Sequence, residues 1–569
     1  MDARLNPPSA ERLMRDVRMI AQWERLSGSP GERQAFEYIQ RELRAAKIAT
    51  TLLEHPALIS LPGRASFRLL PADEELTCIT HSFAAPARNL EAAVVYLDES
   101  TPPTADAVAG CIVATDGLAM PGRVAQLQRA RAAAAVFLNR DPHVHEMIVS
   151  TVWGSPTPER LGELPAIPVV SMAGPSARRL RHFLEGSARV GDLRARLSAE
   201  VETAWRPLPL LVADLPGERE DTFVLLAGHV DSWYVGAMDN GGANAAMMEI
   251  ARLLARARRY RGLRVAFWSG HSHGRYAGSA WYADTHWAEL DERCAAHLYV
   301  DSIGGRGASL LTHGYCMPET RAVGAAAIKK IAGQAYTGSR VGRSGDQSFL
   351  GIGIPSLFMT LSEHPKDGPE ASRDFAITGS DTGGLGWWWH TPEDTPDKLD
   401  PVLLARDTAI YFEAVRTLCG EPVLPLDYAA TAAELLGQLR DLQERLGERF
   451  DLGPCLAEAR GFERAARALR SKLRKIGVGR WRHVARANQA LMRIGRALIP
   501  VLYTQAGRFD HDPATTLPSL PPLAGADELA RTPPDTPEAY ALTVGLTRGR
   551  NRLVEGLRAA RQAAEEAMD

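Results

Sequence analysis

Five short stretches hold most of the side chains able to bind a metal or move a proton. Gly228-His229-Val230-Asp231-Ser232-Trp233 is followed closely by Gly236-Ala237-Met238-Asp239-Asn240-Gly241-Gly242. Then come Ser269-Gly270-His271-Ser272-His273-Gly274, Asp301-Ser302, and Trp387-Trp388-Trp389-His390-Thr391. Imidazole nitrogens and carboxylate oxygens are the donors a zinc pair prefers, and one carboxylate bridges two cations through its two oxygens. Asp239 stands where a helix begins, which fixes its orientation. Asp231, two residues beyond His229, is placed as the supporting carboxylate that sets the imidazole tautomer. An H-x-D triplet arises by chance in a chain with 15 histidines, so the weight rests on strand–loop–helix context.

That context is legible. Thr222–Ala227 (TFVLLA), Leu263–Trp268 (LRVAFW) and Ala296–Val300 (AHLYV) are nearly continuous apolar runs. They read as strands buried on both faces of a mainly parallel sheet, with helices such as Asn244–Arg256 packed on both sides. Ligands of such sheets gather in loops leaving the carboxyl ends of strands. The His, Asp and Ser-Gly-His stretches sit just after those ends.

Upstream, Ser29-Pro30-Gly31-Glu32 predicts a capped amphipathic helix over 30–47. From about residue 55 the texture changes to short strands (Ala92–Leu97, Cys111–Thr115, Ala133–Phe137, Ile167–Ser171) alternating with helices Pro121–Arg131 and Pro175–Leu184. This smaller α/β unit shows no catalytic cluster of its own. Beyond about residue 420, Ala430–Arg449, Leu456–Ile476, Trp481–Leu498 and Pro537–Ala567 carry helical spacing. The expected division is 1–54 with 200–420, an insert over 55–199, and an all-helical unit over 421–569.

Lysine plus arginine (66) nearly balances aspartate plus glutamate (68), so no global charge favours nucleic acid or an anionic membrane as partner. The amino-terminal residues do not read as a signal peptide, and no apolar run is long enough for a membrane span. Six cysteines lack a C-x-x-C pair and read as isolated thiols of a cytoplasmic enzyme. Arg343 and Arg373 are candidate contacts for an acidic substrate, although an arginine is ordinarily a solvated surface residue.

GHVDSW…GAMDNGGANAAMMEIARLL resembles the signature of the metallopeptidase family that includes bacterial zinc aminopeptidases, glutamate carboxypeptidase II and the transferrin receptor. Gly110–Asp141 and Ala166-Ile167-Pro168-Val169-Val170 are similar to the protease-associated domain inserted in larger members. Ser344-Gly345-Asp346-Gln347-Ser348-Phe349 and Gly353-Ile354-Pro355 resemble a loop and strand beside the substrate pocket. Asn488–Leu523 is similar to the helical dimerisation domain of the receptor-like branch, which implies a homodimer.

The resemblance implies one metal site of His229, Asp239 and Asp301, with Asp239 bridging to a second that includes His390. It also calls for two adjacent glutamates after the second strand, a general base and then a ligand. Here Trp268 and Gly274 align with the flanking residues and put His271 at the base position and Ser272 at the ligand position. A neutral imidazole accepts a proton near neutral pH, whereas serine is a poor replacement for a ligating carboxylate. His271 or His273 is then an alternative ligand. Zinc is the expected metal, one ion or two, with iron, cobalt or manganese as alternatives. The expected reaction is hydrolysis of an amide bond in a peptide or small acylamino compound. The competing readings are a non-catalytic receptor-like scaffold and an unusual amidohydrolase or lyase with a His-rich site.

Overall fold

The computed structural model describes residues 6–70, 72–186, 193–311, 313–375, 382–475 and 481–568. Strand Phe223–His229 is buried at every position and pairs in parallel with Gly262–Trp268 on one side and Cys294–Tyr299 on the other. These are the three apolar runs of the sequence, with ends displaced by one or two residues. Trp268 lies opposite His229 in that register, so the loops after both strands leave the sheet side by side.

Helix Ala243–Leu254 covers this sheet and is buried along almost its whole length, including Glu249. A buried carboxylate is costly unless paired. Arg12, from helix Ala10–Ile20, supplies a two-pronged partner at 2.7 and 2.5 Å. Helix Pro30–Ala45 begins as the sequence predicts, with Ser29 Oγ accepting from the Glu32 backbone N–H at 3.2 Å. Glu32 turns back to accept from Gly28 N instead of Ser29 N, at 2.7 Å.

Two long strands, Ala49–Leu69 and Arg194–Leu215, were not anticipated. They pair antiparallel from Ala49 opposite Asp214 to Leu69 opposite Ala195, with a register irregularity between Pro62 and Ala65. One end of this ribbon joins Gly262–Trp268 antiparallel. The other end pairs with Ala87–Tyr96, which opens a smaller set of parallel strands with Ile112–Asp116, Ala134–Leu138 and Val169–Met172. The whole is a mixed α/β sheet in which the site-bearing strands run parallel. The ribbon was missed because Pro56, Pro62, Gly63, Pro207 and Pro209 interrupt the alternation that marks a strand.

The carboxyl-terminal part is helical: Tyr428–Leu446, Gly453–Leu473, Trp481–Tyr503 and Pro537–Glu566. Ile476, the expected end of the second of these, lies outside the described residues. These helices share a core that includes Leu435, Leu439, Phe462, Leu498 and Leu557. Arg496 docks them on the sheet by donating to the carbonyls of Leu290, Asp291, Cys294 and Gly353 at 2.6–3.0 Å. Gly353 is required there, because it has φ +88° and an added Cβ would meet Arg496 Cα at 2.5 Å. No helix among the described residues is long and apolar enough to cross a membrane.

Candidate metal centre

His229 ends its strand with Nδ1 donating to the backbone oxygen of Asp231 at 2.8 Å. A carbonyl only accepts, so Nδ1 carries the proton and the Nε2 lone pair faces away from it. Nε2 points to Asp239 Oδ1 at 3.1 Å and to Asp301 Oδ1 at 3.7 Å. His390 is held the same way, Nδ1 donating to the Glu146 backbone oxygen at 2.6 Å, with Nε2 3.0 Å from Asp239 Oδ2. The two carboxylate oxygens of Asp239 therefore face one imidazole each. His229 Nε2 and Asp239 Oδ1 are both buried without a hydrogen-bond partner.

Two lone-pair donors facing each other at that distance repel unless a proton or a cation lies between them. Burial opposes a charged His229, but Asp239 and Asp301 outweigh it and hold its pKa well above 6.5. Burial likewise disfavours ionised Asp239, yet His229 and His390 pull its carboxyl below the ordinary range. At His390 burial wins and the pKa falls. The centre thus has a strong preference for positive charge, and its N and O donors suit zinc.

The loops around these donors are pinned by buried polar groups. Asp394 accepts from Met238 N at 2.8 Å and from Asp239 N at 2.9 Å, which fixes the turn that presents Asp239. Burial pushes the Asp394 carboxyl up to about 7 against those two N–H donors. Arg25, fully buried, donates to the carbonyls of Val230, Val235 and Gly236 at 2.6–2.9 Å and so ties down the loop after His229.

Asp231 does not play the expected part. Its carboxylate lies 3.8 Å from His229 Nδ1, and the backbone oxygen orients the ring instead. The carboxylate accepts from Ser27 Oγ (2.7 Å), His271 N (3.2 Å) and Ser272 N (2.7 Å), stapling the loop of the second strand to that of the first. Both oxygens are turned to those donors, on the side away from the imidazole.

His271 stacks on His229 with ring centroids 3.8 Å apart and planes 9° apart. His229, His271 and Asp301 each offer a ligand atom, all within 4.8 Å of one another. Asp301 accepts from Tyr299 Oη at 3.0 Å and from Ser302 Oγ at 2.8 Å. Ser272 Oγ is buried without a partner. The His273 ring lies against Trp233 at 4.2 Å, and its Nδ1 meets Ser27 Oγ at 3.0 Å. Among the described residues His273 shows no contact with His229, Asp239, Asp301 or His390.

Residues 211–415 match the family described as Peptidase family M28. The chain carries an M28 peptidase domain. Two curated relatives are a probable glutamate carboxypeptidase, VP8, of Zea mays and another, LAMP1, of Arabidopsis thaliana. The first is 26% identical over 523 residues, 77% of this chain and 70% of the relative. The second is 24% identical over 365 residues, 60% of this chain and 52% of the relative. Among solved structures, BSAP, a zinc aminopeptidase from Bacillus subtilis, shares the fold at TM-score 0.56 and 18% identity, over 74% of this chain and 98% of that one. The aminopeptidase from Aneurinibacillus sp. strain AM-1 matches at TM-score 0.54 and 18% identity, over 73% and 95%. The match marks residues 211–415 as a metallopeptidase-like hydrolase domain.

Several residues that serve the M28 domain escaped the sequence reading. Glu146 lies in the smaller α/β unit, where the sequence offered no catalytic cluster, yet its backbone oxygen orients His390 and its N–H donates to the His390 carbonyl at 2.9 Å. Next to it, His145 Nδ1 donates to the Trp389 oxygen at 2.5 Å, and Asp141 accepts from Arg373 N at 2.8 Å. These are backbone contacts, which no side-chain motif announces. Of the three tryptophans, Trp388 is core, Trp389 stacks on His390, and Trp387 lines a cavity of about 710 Å³ with Arg140, Arg178 and Arg373. Arg343 is half-buried, lying over Trp153 at 3.9 Å and donating to the Asp512 carbonyl at 2.7 Å.

Proposed function

We propose that the chain hydrolyses an amide bond in a peptide or small acylamino compound at a cation held by His229, Asp239 and Asp301. The supporting observation is the 3.1 Å approach of His229 Nε2 to Asp239 Oδ1, two buried donors without hydrogen-bond partners. A bound cation would polarise the amide carbonyl and lower the pKa of the attacking water. The residues' own share is to hold that position. Asp394 and Arg25 fix the Asp239 and His229 loops, and the Asp231 and Glu146 carbonyls fix the two imidazoles with Nε2 lone pairs inward.

On the His390 side, Ser272 holds the place where the resemblance calls for a ligating carboxylate beside Asp239 and His390, which favours one tight cation and a weaker second. Zinc is the first choice, ahead of iron, cobalt and manganese. In this reading residues 1–54 and 200–420 form the catalytic unit, 55–199 a protease-associated insert, and 421–569 a dimerisation unit of a cytoplasmic homodimer. The test is metal analysis of the purified protein and of His229→Ala, with mass spectrometry of products from amide probes. We expect bound metal that His229→Ala loses, and products heavier in total than the substrate by one water. A chain that takes up no cation, or products without added water, overturns this reading.

A further inference from the structure

Of the imidazoles of His229, His390 and His271, the first two are oriented by backbone carbonyls and His271 by a side chain. Its Nδ1 lies 2.8 Å from Asp346 Oδ2. Asp346 is fully buried, and its other oxygen accepts from Ser279 Oγ at 2.6 Å. Tyr299 Oη is 3.1 Å from the same Nδ1 and donates its proton to Asp301 Oδ2 at 3.0 Å. An unprotonated Nδ1 would turn a lone pair on the Asp346 carboxylate and on the Tyr299 oxygen together. A protonated Nδ1 donates to both. Nε2 has no hydrogen-bond partner among the described residues, while the loop carrying the ring is fixed by the Asp231 carboxylate at His271 N.

We propose that Asp346, braced by Ser279, is the positioning residue that locks His271 in the Nδ1–H tautomer, leaving Nε2 as the proton acceptor of the reaction. The catalytic meaning rests on the hydrolase reading above; the tautomer does not. In the step, Nε2 takes a proton from water as the water oxygen bonds to the amide carbonyl carbon. The imidazolium so formed is stabilised by Asp346. It returns the proton to the amide nitrogen as the C–N bond breaks, releasing an amine and a carboxylic acid. An imidazole–carboxylate pair thereby does the work of a single carboxylate base.

The tautomer is read directly by long-range proton–nitrogen correlation spectra of the full chain labelled with nitrogen-15 histidine and loaded with zinc. The expected wild-type spectrum shows His271 protonated at Nδ1 and bare at Nε2. Asp346→Asn offers an N–H as well as a carbonyl to the ring, so it admits the opposite tautomer. We expect an Nε2–H population and a fall in kcat on the order of 10²-fold or more with an aminoacyl p-nitroanilide probe. KM and zinc content should stay as in wild type. Ser279→Ala, which keeps the carboxylate, should keep the tautomer and lose kcat only several-fold. If Asp346→Asn does not fold, the wild-type spectrum and Ser279→Ala still decide. His271 protonated at Nε2 in wild type, or unchanged tautomer and kcat in Asp346→Asn, overturns the proposal. A wild-type chain with the expected tautomer that binds no zinc and cleaves no amide instead sinks the hydrolase reading alone.

Discussion

Glu319 joins the sheet to the helical unit, and its burial makes the junction sensitive to pH. Its backbone oxygen accepts from Asp427 N at 3.0 Å and its Oε2 from Thr431 Oγ1 at 2.8 Å, while Oε1 is buried without a partner. Burial raises the carboxyl from 4.5 to about 7 against the Thr431 hydrogen bond. The folded chain thus holds a proton that the unfolded chain releases above its ordinary pKa. The resulting stability is fully present below about pH 4.5 and is lost as pH rises through about 7. The interval from 4.5 to about 7, at about 1.4 kcal/mol per pH unit, corresponds to roughly 3 kcal/mol. Glu319→Gln keeps the shape and the Thr431 contact but cannot ionise. Urea unfolding of both proteins should give similar stabilities near about pH 4 and an advantage of roughly 3 kcal/mol for the variant near about pH 8. Parallel stability curves across that range would refute the argument, because they would mean that Glu319 ionises without cost where it lies.

Ser272→Glu supplies a carboxylate at the position where the resemblance calls for a ligating glutamate, and metal analysis should show a second tightly held equivalent; one equivalent in both proteins would count against the proposed weak second cation. Asp394→Ala leaves Met238 N and Asp239 N without their acceptor, which should cost roughly 1–3 kcal/mol for each buried group in urea unfolding and weaken zinc on the order of 10–100-fold by competition titration. Gly353→Ala places a methyl 2.5 Å from Arg496 Cα at φ +88°; thermal unfolding should show a loss of about 2 kcal/mol or more, and an unchanged midpoint would show that the helical unit gives way freely.

The strands that carry the centre were legible because burial on both faces leaves a nearly unbroken apolar run, as in Phe223–His229. The ligand types followed from their place after those strands, and the four side chains His229, Asp239, Asp301 and His390 do converge. Their supports were much harder to read. Asp231 looked like a partner for His229 because it is two residues away, but a tight turn presents its carbonyl there and turns the carboxylate to the next loop. Sequence spacing gives proximity and does not say which atom of a residue arrives. Asp394 and Arg25 act on backbone groups more than 150 residues away in the chain. Only Asp394, four residues after His390, carried a local hint.

The same reasoning explains why a changed glutamate pair need not mean a decayed site. Decay would relax the constraints on the loop that held the pair. Instead His271 N and Ser272 N remain stapled to Asp231, and the His271 ring is packed against His229 and tied to Asp346. Buried polar networks are costly when incomplete. Buried atoms without partners occur elsewhere too, Glu319 Oε1 among them, but His229 Nε2 and Asp239 Oδ1 are two such atoms that face each other at 3.1 Å. A scaffold with no chemistry to perform would gain stability by replacing those groups with apolar ones of the same shape. Their presence beside a braced imidazole supports the proposed reading, in which stability is given up for a bound cation and a directed base.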